Sequence, residues 1–199
     1  MDQNLRGLAD AALLLAIPVL MIVMPFATAQ GMGLSSYLNI FTDIITDIMQ
    51  PLNLPQYSFK IKSEGQRKYI FDNIRKRYVN LTPEEWVRQH LIAWLVDEKK
   101  YPPLLIAVEM PLKFNRLERR ADVVLYSGNG KPVMIIECKA PGIKISQKAF
   151  DQAARYNAGL KVDYLVVSNG LVHYCAKLDH DGGRWEFLKD IPDYDAARF

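Results

Sequence analysis

Four consecutive apolar residues, Val133-Met134-Ile135-Ile136, run directly into Glu137-Cys138-Lys139. Side chains alternate across a strand, so an unbroken apolar run is buried on both faces. Such a strand belongs inside a sheet, with helices laid on its two sides. Glu137 and Lys139 then point to one face of the strand end, and Ile136 and Cys138 to the other. A carboxylate and an ammonium at the end of a buried strand need partners, because unpaired charge away from water is costly.

The remaining residues after position 50 supply the layers. Tyr57–Lys62 alternates apolar and polar residues as a half-buried strand does, and a turn at Ser63–Gln66 leads to a second strand over Lys68–Asp72. Thr82-Pro83-Glu84-Glu85 marks a helix start: Thr82 caps, Pro83 suits the first helical position and Glu85 closes a capping box. Val87, Leu91, Trp94, Leu95 and Glu98 form one mostly core-facing stripe of that helix, which ends at Tyr101-Pro102-Pro103. Strands are predicted over Leu105–Phe114, Arg120–Tyr126 and Pro132–Ala140, with a strong turn signal at Ser127-Gly128-Asn129-Gly130. A helix over about Ser146–Leu160 precedes strands at Asp163–Ser168 and Leu171–Leu178, joined by a tight turn at Asn169-Gly170. Short connections make the three middle strands antiparallel neighbours, and the helical crossover makes the next pairing parallel. The fold class is therefore α/β, a mixed sheet flanked by helices.

The chain has 199 residues, long enough for one domain with an appendage, and its 50% apolar and 24% charged content excludes global disorder. Two cysteines are too few for a disulfide scaffold. Charge divides unevenly: residues 1–50 hold one basic and four acidic residues, and residues 51–199 hold 24 basic and 18 acidic, or −3 against +6. The first 50 residues read as an apolar leader, uncharged from Ala11 to Thr42. Residues 11–29 are long enough to cross a membrane, and Ala27-Thr28-Ala29 fits an export cleavage site. Against both stand the acidic start (Asp2 and Asp10 against Arg6) and the helix-breaking Pro18 and Pro25. A third reading puts the working start at Met32 or Met49, with the nearby 35–50 stretch a short amphipathic helix. Nothing in the chemistry of the following domain requires the leader, so the expected location is cytoplasmic, with membrane-anchored or exported forms as alternatives.

The chemistry centres on Glu137. Asp122 lies one strand earlier, and the linking turn lets it approach Glu137 from the paired strand. Two carboxylates supply hard oxygen ligands for Mg²⁺ or Mn²⁺, and the backbone carbonyl of Cys138 is a further candidate ligand. Lys139 is placed to orient a water or steady phosphoryl charge. The plain alternative is a structural ion pair between Glu137 and Lys139. The apolar strand, the preceding aspartate and the turn between them favour the metal site.

Asp122 followed by Glu137-Cys138-Lys139, within this order of elements, resembles the PD-(D/E)xK nuclease superfamily. Gln152 and Tyr156, in Asp-Gln-Ala-Ala-Arg-Tyr, match the Q-x-x-x-Y element of its RecB-like branch and are neighbours on one helix face. The run from about Pro55 to Asp179, including KAPGIKIS, FDQAARYN and VSNGLVHYC, is similar to the N-terminal nuclease domain of type I restriction endonuclease R subunits, in a stand-alone, Bacteroidetes-type form. The resemblance implies a restriction-endonuclease-like core over residues 51–199 and a metal-dependent DNA endonuclease. It implies Asp122 and Glu137 as metal ligands, Lys139 as the catalytic lysine, and Gln152 and Tyr156 as the helix pair. An acid on the first helix often assists in that superfamily; Glu85 is the nearest candidate, and its capping role is the competing one. Ala121 stands where the motif usually has proline. Neither a Walker A pattern nor room for a motor domain is present.

Histidines 90, 173 and 180 have no metal-ligand spacing, and Cys138 and Cys175 read as buried structural thiols. Trp86 and Trp94 are expected in the core. Arg116, Arg119, Arg120, Lys139, Lys144, Lys148 and Arg155 fall near the proposed site and suit phosphate contacts, with a solvated charged face as the alternative. The expected partners are DNA and restriction-modification proteins; membrane association would run only through residues 11–29. Two other functions stay open: a DNA-binding or assembly module that keeps the fold without cutting, and a membrane-tethered version.

Overall fold

The computed structural model describes residues 48–114, 117–179 and 183–194. The leader's membrane, export and late-start readings lie outside the described residues. Among the described residues no helix is long and apolar enough to cross a membrane.

Two sheets, two α-helices and a single 3-10 turn at Pro103–Leu105 make up the described residues. A small antiparallel sheet holds β1 (Ile61–Glu64), β2 (Arg67–Asp72) and β3 (Arg77–Asn80) in that order. Helix α1 (Pro83–Asp97) follows, then β4 (Ile106–Phe114), β5 (Leu117–Tyr126) and β6 (Pro132–Cys138). Helix α2 (Gln147–Leu160) crosses over to β7 (Tyr164–Ser168), and β8 (His173–Asp179) and β9 (Arg184–Leu188) complete a six-stranded sheet in sequential order. Every neighbouring pair in it is antiparallel except β6–β7, which the helical crossover makes parallel.

The double-sided burial of β6 is realised residue by residue. Ile136 and Cys138 belong to the core cluster under α1 with Val87, Leu91 and Leu95. Ile135 belongs to the cluster under α2 with Ala149, Ala153 and Leu165. Val133 to Cys138 are all buried, and each fully buried aliphatic side chain contributes about 1.5–3 kcal/mol. A third cluster of Ile70, Leu81 and Trp86 seats the small sheet against the start of α1.

Two strands and several boundaries differ from the sequence reading. β3 and β9 are edge strands only four and five residues long, too short for their apolar positions to display a period. Tyr57 and Phe59 lie before β1 rather than in it, because their rings pack around His90, whose centroid is 4.7 Å from Phe59 and 4.1 Å from Trp86. The Thr82 hydroxyl accepts from the Glu85 N–H at 3.1 Å as a cap should, but the Glu85 carboxylate turns inward instead of closing a capping box. Asn169-Gly170 forms the expected turn, with Gly170 at φ +79°. A Cβ there would lie 2.7 Å from Leu52 Cδ2, so the turn is also a close-packed contact.

Candidate active site

The site lies where β5 and β6 part. Their ladder runs from Tyr126↔Pro132 to Val123↔Ile136 and goes no further, while β5 continues alongside β4. Asp122 and Glu137 are the next residues on the two strands, so both carboxylates sit at the mouth of the fork. On the other side of β5 the β4 ladder skips Glu109, which adopts a left-handed backbone at φ +50°. A non-glycine residue held there costs of order 1–3 kcal/mol, and such positions gather at functional sites.

Asp122 uses both oxygens. One accepts from the Arg88 guanidinium at 2.7 Å and the other from the backbone N–H of Cys138 at 2.8 Å. Glu137 accepts through Oε1 from Lys139 Nζ at 2.7 Å and from Gln152 Nε2 at 2.5 Å. Its Oε2 is buried and has no hydrogen-bond partner among the described residues. Asp122, Glu137, Lys139 and Gln152 are thus brought together from β5, β6, the end of β6 and α2. Tyr156 follows Gln152 by one turn on α2, and its side chain lies outside the described residues. Among the described residues no group of three or more His, Cys, Asp and Glu side chains is arranged to hold a metal ion.

Burial and the negative charge of Asp122 push the Glu137 carboxyl up to about 7, even though the Lys139 ammonium pulls the other way. Burial works against the Lys139 ammonium, but the hydrogen bond and charge of Glu137 win and raise its pKa. The Cys138 thiol, buried beside Asp122, is driven well above its ordinary value and stays protonated.

Glu85 stands in a different environment. Arg75 and Gln89 both donate to its Oε1 at 2.8 Å, and Arg88 donates to its other oxygen. Arg75 also pairs with Asp72 and Glu109, each at 2.5 Å. A buried ionic network therefore joins the small sheet, α1, β4 and Asp122, with Arg88 as the link between Glu85 and Asp122. The acid of α1 that shares the electrostatics of the fork is Glu84. Its carboxyl is raised by burial and by Asp122, with Arg88 and Lys139 opposing. Sequence reasoning missed both Glu84 and Arg88. The signal was a Glu-Glu pair in the first helical turn with arginine three and four residues on, which puts one guanidinium within reach of both acids.

The other candidates fall elsewhere. His90 and His173 are packed against Trp86 and Trp94, and both are pushed toward neutrality by burial. Cys138 and Cys175 are free, buried thiols. A groove of about 700 Å³ opens beside the fork, walled by β3, the first turns of α1, Glu109 and Ala140.

One solved structure with similarity to the chain is a fragment described as an HsdR subunit of a type I restriction enzyme from Vibrio vulnificus YJ016. The identity is 18% and the TM-score 0.39, over 51% of this chain and 22% of that one. The chain thus spans only about a fifth of that fragment. No curated protein matches. The family model described as type I restriction enzyme R protein N terminus matches residues 83–192, which runs from the start of α1 past β9 and takes in Asp122, Glu137, Lys139 and Gln152. Since that match spans more than half of its length, the chain belongs to the type I restriction enzyme R protein N-terminal family.

Proposed function

We propose that the domain is a metal-dependent DNA endonuclease of the PD-(D/E)xK kind, with Asp122, Glu137 and Lys139 at its centre. The observation that carries the reading is Glu137 Oε2, a buried carboxylate oxygen without a partner among the described residues, on a carboxyl that feels the charge of Asp122. Leaving such an oxygen unsatisfied costs about 1–3 kcal/mol or more for a charged group, and a divalent cation removes that cost. Mg²⁺ is commonly held by only one or two carboxylates, with waters and substrate phosphate oxygens completing its shell, so the pair present fits it. Asp122, Glu137 and the Cys138 carbonyl would hold the ion, with Glu84 rather than Glu85 as the acid of α1 nearest in electrostatic terms. When bound, the metal polarises the phosphodiester and acidifies a water.

The chain's own residues supply the rest. Gln152 and Lys139 hold Glu137 by one oxygen, which leaves the other free to turn toward the fork. Lys139 keeps its proton and offers positive charge to a phosphoryl oxygen. Arg88 holds Asp122 in place from the α1 side. The test is cleavage of plasmid and linear DNA with Mg²⁺ or Mn²⁺, comparing wild type with Asp122→Asn and Lys139→Ala. Loss of cleavage in both variants is expected, and cleavage that survives both refutes the site.

The rival reading is a DNA-binding or assembly module of the same fold that does not cut. It draws on the engagement of both Asp122 oxygens, by Arg88 and by the Cys138 N–H. Salt-dependent DNA binding with no cleavage and no metal-binding heat would favour it. Restriction-modification proteins are the partners that family membership suggests.

A further inference from the structure

The small sheet has an outer face that the fork does not use. Register places Lys62 opposite Tyr69, and Tyr69 and Phe71 opposite Asn80 and Tyr78, so these side chains share one face. Lys60 joins them through the Phe71 N–H bond to its carbonyl at 2.9 Å. The opposite face carries Ile70 and Val79 into the core around Trp86. Alternation thus puts three aromatic rings, Lys60, Lys62, Arg67 and Glu64 outside, with Tyr78 39% exposed and Lys62 paired to Glu64 at 2.6 Å. Phe71 and Tyr78 meet edge to face at 5.2 Å. Lys60 Nζ stands 5.7 Å from the Phe71 centroid, and Lys62 Nζ stands 5.3 and 4.7 Å from those of Tyr69 and Tyr78. Lysines resting over rings show that the ring faces look outward.

The segment is basic: residues 59–80 hold seven basic and two acidic residues, a net +5, against +6 for all of residues 51–199. On the face itself stand Lys60, Lys62 and Arg67 against Glu64, while Arg75 is taken up in the buried network and Lys68 and Arg77 lie on the other side of the sheet. The face also runs into the groove beside the fork, because Tyr78 and Asn80 line both. Three strands about 4.8 Å apart make a face about 10 Å wide. Aromatic rings set among flexible cations on such a face suit unpaired bases, which stack whatever their sequence while the cations follow the phosphates. A duplex hides its base faces and cannot use the rings.

We propose that the outer face of β1–β2–β3 binds single-stranded DNA and leads it along the groove toward the fork. The direction of the strand rests on the nuclease reading; the binding does not. Tyr69, Phe71 and Tyr78 stack the bases, and Lys60 and Lys62 swing from the rings to the phosphates.

The test is fluorescence anisotropy of labelled (dT)20 with the full chain in EDTA, where cleavage plays no part. The expected results are tighter binding of (dT)20 than of a 20-base-pair duplex, and weakening by about tenfold in Tyr78→Ala. Tyr78→Phe is expected to bind as wild type does. Lys60→Gln with Lys62→Gln is expected to lower the salt slope by about 1.4. Thermal melts that match wild type show that the variants are folded. The proposal is overturned by binding within twofold of wild type in folded Tyr78→Ala, by preference for the duplex, or by tighter binding of (rU)20 than of (dT)20. Absence of cleavage by wild type with Mg²⁺ or Mn²⁺, with (dT)20 binding intact, would sink the nuclease reading and leave the platform standing.

Discussion

Glu137→Gln should stabilise the metal-free protein while removing its proposed activity. In the fold Glu137 is 3% exposed, and burial with Asp122 moves its carboxyl from 4.5 to about 7. A raised carboxyl pKa means that the folded state binds more protons than the unfolded chain between those two values. Stability therefore falls as pH rises through that window, and the penalty is complete above pH 7. At about 1.4 kcal/mol per pH unit, the ionised group costs about 3 kcal/mol at pH 8 and about 1 kcal/mol at pH 5. Glutamine resembles the protonated acid and escapes the penalty. With an m-value of about 1–3 kcal/mol/M, the urea midpoint of Glu137→Gln at pH 8 in EDTA should exceed that of wild type by on the order of 1–3 M. The gap should close as pH falls toward 5. His90 and His173, held below their ordinary values by burial, titrate with the opposite sign, losing stability as pH falls below about 6.5. Both are present in each protein, so they cancel in the difference. A variant no more stable than wild type at pH 8 would refute the claim that Glu137 is held in an unfavourable charged state.

Mg²⁺ should raise the unfolding free energy of wild type at pH 8, by about 2.7 kcal/mol at a hundred times its Kd, and should have far less effect on Glu137→Gln; thermal melts with and without the ion measure this. Arg88→Ala takes the cation from buried Asp122 and leaves Glu85 with Arg75, and should cost about 3–5 kcal/mol in urea denaturation. A loss under 1 kcal/mol would mean that the network is not buried in solution. Gly170→Ala meets both a left-handed backbone and Leu52, and should cost about 1–3 kcal/mol, read as a lower melting temperature. A melting temperature equal to that of wild type would show that the turn relaxes freely.

Much of the fold was legible because periodicity reports burial directly. The apolar run of β6 required a layer on each side, and α1 and α2 provide them through Ile136 and Ile135. Chain connectivity gave the antiparallel β4–β5–β6 order and the parallel β6–β7 step, since a two-strand turn and a helical crossover permit little else. β3 and β9 escaped because four or five residues are too few to show a period, and an edge strand is specified largely by its partner.

The chain alone also determined which acids lie near one another at the end of β6. The turn between β5 and β6 brings Asp122 within reach of Glu137, and the resemblance to the Q-x-x-x-Y helix singled out Gln152. Tertiary structure alone decided how those charges are shared. Arg88 comes from a helix 34 residues upstream of Asp122 and takes one of its oxygens, while Glu85, the acid that local pattern favoured, is claimed by two arginines. Glu84, one residue earlier, is the acid of α1 whose charge reaches Glu137 and Lys139. The physical reason is that neighbouring helical residues differ by about 100° in direction, so which acid meets the site depends on how α1 rolls against the sheet. That roll is set by Val87, Leu91 and Leu95 packing on β5 and β6, a property of the assembled core that no local spacing encodes.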